Sequence, residues 1–179
     1  TTMSPLYPQR KSPGARADGL AKDLLVKTYG LHEVHSYIWY DAKKCKGLGI
    51  ALDENVKLLN AQTPDHETLR RSMGPTLLSV LQENRSFAPA FGVFEIGRTA
   101  EGLKEDGLCN ERKKLGIALF SRTTPERELY LQAIEIVKAL GQSVKGIKLE
   151  LANCTPQYSW QHPRNTAAIL GKGQPLGWL

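Results

Sequence analysis

The sequence predicts an α+β fold, with helices packed on one side of a mostly antiparallel sheet. Three observations carry this. In Phe91-Gly92-Val93-Phe94-Glu95-Ile96, apolar residues occupy both alternating faces, Phe91 and Val93 on one and Phe94 and Ile96 on the other, so the run is an inner strand. Leu129, Ala133, Ile136, Val137 and Leu140 form one helical stripe, in a segment that Pro125 opens and Gly141 ends. The end of the chain, Thr166–Leu170, then Gly171-Lys172-Gly173, then Pro175–Leu179, reads as a hairpin.

Taken in order, residues 1–15 hold Pro5, Pro8 and Pro13 beside Arg10 and Lys11 and read as an extended arm or linker. A helix follows over Asp18–Tyr29, with Asp18 as its cap, Leu20, Leu24 and Leu25 turned inward, and Gly30 as its stop. The aromatic and β-branched run at 32–41 predicts a strand, centred on Val34–Tyr40. Asp41–Leu48 is a short helix and Val56–Leu59 a short strand. Asp65 and His66 sit in a turn. Ser72 or Gly74 caps a helix over Pro75–Arg85, and Leu77, Leu78, Val80 and Leu81 supply its buried side. The central strand runs over Phe91–Arg98, and Thr99–Asn110 is a polar loop. Leu115–Ser121 is a second inner strand, one face of which carries the small residues Gly116 and Ala118. Small residues there admit a helix or a ligand close to the sheet, a helix being the commoner cause. Helix Glu126–Leu140 and the strictly alternating strand Gly146–Ala152 precede the hairpin. The first, central and second inner strands are expected in one sheet.

The chain has 179 residues, with 41% hydrophobic and 23% charged content, enough to bury a core in one main domain. No apolar run reaches transmembrane length, and no signal core opens the chain. Cys45, Cys109 and Cys154 are odd in number and widely spaced, which fits reduced thiols in a cytoplasmic protein. The net charge of +6 is spread along the chain; its densest cluster, Arg112-Lys113-Lys114, reads as a solvated strand entry, with a tRNA-facing patch as the sharper alternative. There is no phosphate-cradling glycine loop and no nucleophile elbow. His32 and His35 fall on opposite faces of an extended chain, which makes them poor joint ligands. A structural His162 is favoured over a catalytic one. Glu95 on the central strand needs a buried partner. Arg98 falls on the opposite face, so Arg70, Arg71 or a basic residue of a neighbouring strand is expected to pair with it.

Several segments, in order, resemble the phenylalanyl-tRNA synthetase β subunit. They are Gly30–Tyr40, Val56–Ser72, the Leu-Arg-x-Ser and Pro-opened helix at 69–84 with Phe94-Glu95-Ile96-Gly97-Arg98, Glu111–Arg122, and Gln161–Gly177. The resemblance spans residues 16–179. It implies a class II aminoacyl-tRNA synthetase-like antiparallel β-sheet flanked by helices, in a pseudo-catalytic core domain truncated at its C-terminal end. Class II enzymes place an arginine just beyond the second-motif strand to hold the ATP α-phosphate, where negative charge grows during adenylation. In the register set by residues 94–98 this position is Glu101, which would repel a phosphate, and the Gly-rich third motif is not visible. The resemblance therefore implies no catalytic residue, cofactor or metal here. ATP and Mg2+ are expected on the partner α subunit, tRNA in the assembled complex, and no membrane. Glu95, Arg98, Glu101 and His162 are candidate vestigial sheet-face residues. Val26 and Tyr29, on the helix matching the first class II motif, are candidates for the α-subunit interface, with self-association expected of the isolated domain. The loop at 162–165 reads His-Pro-Arg-Asn where the family has His-Pro-Gly-Arg. A free-standing relative binding a small molecule or RNA on the sheet face is the alternative; a sheet pocket lined by Glu95, His162 or the Gly116/Ala118 strip would favour it.

Overall fold

The computed structural model describes residue 7 and residues 10–52 and 55–179. Most of the expected arm therefore lies outside the described residues. Helix α1 (Pro13–Asp23) begins earlier than expected, because Ser12 rather than Asp18 caps it, accepting from the Ala15 amide at 3.2 Å. Asp18 is instead bonded to Lys113. A π-helical turn, Leu24–Thr28, extends α1. The buried line on this helix is Ala21 and Leu25, one turn apart, so Leu20 faces outward at 47% exposure rather than inward.

Strand β1 is only His32–Glu33 and pairs parallel to β2 (Ala90–Leu103), which pairs antiparallel to β3 (Cys109–Ser121). Val34–Tyr40 is thus not the strand expected. Its backbone leaves the sheet after Val34 and bonds to the 68–70 segment: Arg70 N donates to Ile38 O at 2.7 Å and Tyr40 N to Thr68 O at 2.8 Å. Helix α2 spans Ala42–Gly47, with Asp41 as cap. The expected strand at 56–59 reduces to one isolated bridge, Lys57 to Thr68. The 99–110 segment is not a loop throughout: β2 and β3 run on as a long ribbon through a register shift between Ala100 and Leu103 and turn at 104–108. Among the described residues β3 is an edge of this sheet, not an inner strand.

The helices cover both faces of β2, not one. Helix α3 (Gly74–Asn84) lays Leu77 and Leu81, with Met73, on Val93, Phe91 and Ala118. On the other face Leu25 and Leu31 meet Phe94, Ile117 and Leu119 beneath Ile136 of α4 (Glu126–Leu140). Gly141 does not end α4; a π turn continues to Lys145 and Gly146, at φ 63°, stops it. A second antiparallel sheet follows, β4 (Leu149–Asn153), β5 (Ala167–Gly171) and β6 (Gln174–Trp178), the last two forming the expected hairpin. The 154–166 segment joins the two halves, since Trp160 packs on the Tyr40, Cys45 and Ile50 cluster and lies so close to Gly74 that a Cβ there would strike its ring.

Candidate functional site

The central hairpin β2–β3 positions Glu95, Arg98 and Glu101, and the loop between β4 and β5 carries His162. Glu95 is paired in the core. Its Oε1 accepts from Arg70 Nη2 at 2.7 Å and its Oε2 from Nη1 at 3.2 Å, a two-pronged geometry that suits a planar guanidinium. Ser36 completes the set: its hydroxyl donates to Glu95 Oε2 and accepts from Arg70 Nη1 at 2.6 Å. Arg70 Nε donates to the carbonyl of Arg98 at 2.8 Å. Both charged residues are only 2% exposed. Local sequence makes room for them, because a Cβ at Gly97 would run into the guanidinium and into Glu95 Oε1. Ser36 was missed by sequence reasoning. Its one signal is a small polar residue at an inward position in an otherwise aromatic run.

The other sheet-face candidates are not brought together with Glu95. Arg98 points from the opposite face into solvent and meets Glu111 at 2.7 Å. Glu101 lies further out on the ribbon, bonded to Lys114 and 3.5 Å from Arg112 Nε. The Lys114 hydrogen bond, aided by the charges of Lys114, Arg112 and Arg71 and opposed by partial burial, holds its carboxyl below the usual carboxylate range. The basic run at 112–114 is therefore split between faces: Arg112 and Lys114 serve Glu101, and Lys113 serves Asp18. His162 is exposed. Its Nδ1 accepts from the amides of Arg164 and Asn165 at 3.1 and 3.0 Å, and its carbonyl accepts from Thr166 at 2.7 Å, so it organises its own loop.

The small-residue strip is occupied by a helix. A Cβ at Gly116 would come within 2.7 Å of Leu77 and 3.0 Å of Met73, so this glycine lets α3 close on the sheet. The open cleft of about 600 Å3 lies on the other side, between α4 and the Ile117/Leu119 face, with His162 and Asn165 at its edge. Glu95, Gly116 and Ala118 do not line it. Beside the buried trio, the Tyr40 hydroxyl donates to Ser72 O at 2.8 Å and accepts from Ser72 N at 2.9 Å. Burial pushes its pKa up to about 12. At the candidate interface, Val26 is 47% exposed, whereas Tyr29 packs on the Leu25 cluster and its hydroxyl donates to Glu135 at 3.3 Å. Among the described residues no group of three or more His, Cys, Asp or Glu is placed to hold a metal ion, and no helix is long and apolar enough to cross a membrane.

This fold, a helix-backed antiparallel ribbon with a Pro-opened helix across it, is class II aminoacyl-tRNA synthetase-like. Two solved structures share it at a TM-score of 0.65: PylSc, a pyrrolysyl tRNA synthetase of Desulfitobacterium hafniense, at 16% identity, and a pyrrolysyl-tRNA synthetase from the same organism, at 19%. They are covered over 54% and 58% of their length by 90% and 93% of this chain, so the chain spans little more than half of either. No curated protein sequence matches it. The family model for the phenylalanyl tRNA synthetase beta chain CLM domain matches residues 2–179, and the chain belongs to that family.

Proposed function

We propose that this domain is the non-catalytic core of a phenylalanyl-tRNA synthetase β chain, supporting an α subunit that attaches phenylalanine to its tRNA at the expense of ATP. Family membership supports the β-chain role. The observation that carries the non-catalytic reading is Glu101. In the register that the resemblance implies, it stands where a class II enzyme needs a cation for the α-phosphate, and it is already paired with Arg112 and Lys114. An ATP phosphate approaching this corner would meet a carboxylate, and Glu101 would have to give up two ion pairs to move aside. ATP and Mg2+ then belong to the α subunit, and tRNA to the assembled complex, in the cytoplasm.

The test is ATP–pyrophosphate exchange with phenylalanine on the chain alone and after mixing with its cognate α subunit. The expected result is no exchange above a buffer blank for the chain alone, and a stable complex in size-exclusion chromatography. Exchange by the chain alone, abolished by a substitution in it, would overturn the proposal. The free-standing alternative meets one of its criteria, since His162 lines the cleft on the Ile117/Leu119 face of the sheet, and misses the others, since Glu95, Gly116 and Ala118 do not line that cleft.

A further inference from the structure

The loop between α3 and β2 carries a surface that none of the roles above uses. Phe87 stands on it 70% exposed. Its ring is set edge-to-face against His32 and against Phe91, with centroids 6.1 and 6.2 Å away and planes at 86° and 88°. The loop beneath the ring is pinned. Phe87 N donates to Asn84 O at 2.8 Å, Arg122 N donates to Pro89 O at 2.9 Å, and the Arg122 guanidinium donates to Arg85 O. The last contact ties the end of β3 to the end of α3, so Arg85 and Arg122 both flank the loop that carries Phe87. Both arginines are exposed, and among the described residues neither guanidinium is in an ion pair. The neighbouring chain supplies no acid, since residues 84–92 and 118–125 hold no Asp or Glu. The carboxylates next along the chain are engaged or turned elsewhere: Glu83 is bonded to Lys44, Glu33 to Lys22, and Glu126 lines the cleft of α4. The other exposed aromatic group, the stack of Tyr37, Trp39 and His66, differs in this respect, because its lysines, Lys43 and Lys57, are bonded to Asp65 and Glu67. The Phe87 corner is an aromatic face beside two cations that lack an anion.

We propose that this corner binds an unpaired stretch of RNA, with one base lying on the Phe87 ring and the adjoining phosphates meeting Arg85 and Arg122. The inference rests on the function proposed above, in which tRNA joins the assembled complex. A nucleotide carries a planar ring and an anion side by side, and the corner offers a partner to each. The base must be unpaired, because inside a duplex its faces are covered by its neighbours. Arginine suits the phosphate, since its fork meets two oxygens at once. Stacking on an aromatic ring accepts any base, so little sequence preference is expected. An apolar protein surface fits less well, because it would bury two guanidinium groups with no carboxylate to meet them. An acidic peptide would satisfy the charges and leave the Phe87 ring bare.

The test uses the 179-residue chain and a short fluorescein-labelled oligouridylate, read by fluorescence anisotropy over a salt series. Phe87→Ala should raise Kd at least about fivefold, the low end of what stacking one base on an aromatic ring contributes, with circular dichroism unchanged. An abasic strand of the same length should bind the wild-type chain no better than oligouridylate binds Phe87→Ala. Arg85→Gln with Arg122→Gln should flatten the slope of log Kd against log salt by about 1.4, or about 0.7 for each phosphate released. Arg122 also holds the loop, so if the double variant does not fold, Arg85→Gln alone decides, with an expected change of about 0.7. Lys148→Gln, which removes an exposed charge just before β4, should leave Kd nearly unchanged. No anisotropy change at low salt would overturn the proposal. So would a Kd indifferent to Phe87→Ala, or an abasic strand that binds as tightly as oligouridylate, since either would mean a general attraction to a basic chain. If Phe87→Ala instead weakens the complex with a cognate α subunit in size-exclusion chromatography, the corner is a protein contact and the proposal is wrong. A chain that forms that complex and ignores the oligonucleotide overturns this inference alone, whereas the β-chain reading fails on the complex itself.

Discussion

Glu95→Gln is the most direct test of how this domain is held together. The substitution keeps the shape of the side chain and removes its charge. Arg70 then stays cationic at 2% exposure, because a guanidinium does not give up its proton at any ordinary pH. Its Nη2 and Nη1, now 2.7 and 3.2 Å from carboxylate oxygens, would face an amide that can satisfy only one of them well. Breaking a buried pair by removing one partner costs about 3–5 kcal/mol. For a domain of 150–250 residues each kcal/mol lowers Tm by about 2–4 °C, so the expected drop is roughly 6–20 °C. Differential scanning calorimetry measures it. Arg70→Met should also destabilise, because it leaves the Glu95 carboxyl buried without its cation and must be met by uptake of a proton. The double variant Arg70→Met/Glu95→Gln should cost clearly less than the sum of the two single variants, since no charge is left without its partner. A Tm drop below about 2 °C for Glu95→Gln, or strict additivity in the cycle, would refute the view that this pair is a coupled buried unit.

Gly116→Val should destabilise by about 1–3 kcal/mol in urea titration, because its branches must displace Leu77 and Met73 where α3 meets the sheet. The raised Tyr40 pKa gives a high-pH signature: the folded state keeps this proton to about pH 12 while the unfolded chain loses it near 10, so its contribution is full below pH 10 and fades as pH rises to 12. Tyr40→Phe should flatten that part of the stability profile, and an unchanged slope would count against it. Cys45 is buried and its thiol is pushed up to about 11, by burial first and then by Asp41, so it should alkylate much more slowly than half-buried Cys109 and Cys154 under iodoacetamide at pH 8, as read by mass spectrometry. Leu20→Glu and Val26→Glu, both at exposed positions of the first helix, should leave Tm within about 2 °C yet weaken capture of a cognate α subunit; equal binding would remove this face from the interface.

The parts legible in the sequence were those whose pattern is long and dictated by burial on a fixed face. Phe91 to Ile96 could only be an inner strand, and the Leu129-to-Leu140 stripe could only be one side of a helix. The Val34–Tyr40 run misled because β-propensity reports a residue suited to an extended, half-buried backbone, whichever partner supplies the hydrogen bonds. Here the partner is the 68–70 segment, a contact fixed by the Arg70–Glu95 pairing rather than by alternation. The π turns after α1 and α4 left no trace, since five residues are too few to shift a visible period. The inward assignment of Leu20 failed by a single step around the helix, with Ala21 taking the buried place. At the site, the need for a buried partner to Glu95 was legible from charge and alternation alone. The reading of Glu101 rests on the family resemblance alone, because nothing local in the sequence marks that position.

The same packing that makes the sheet legible limits what it can do. A ligand seated over Glu95, Gly116 and Ala118 would have to lift α3, exposing Met73, Leu77, Leu81 and Val93. At about 1.5–3 kcal/mol per fully buried side chain, opening that face costs roughly 6–12 kcal/mol. The whole folding free energy of such a domain is about 5–15 kcal/mol, so opening the face amounts to unfolding the domain. On the other face, Phe94 and Ile136 are fully buried together, and Leu25 closes the layer from the first helix. The α3 face of the sheet is thus sealed by packing, while on the other face the cleft between α4 and Ile117/Leu119 stays open. What the ribbon can still offer is its periphery: the exposed first helix, the edge of β3 with the cleft beside it, and the Phe87 corner. Under the function proposed above, docking of an α subunit on these surfaces, rather than turnover, is the measurement that bears on it.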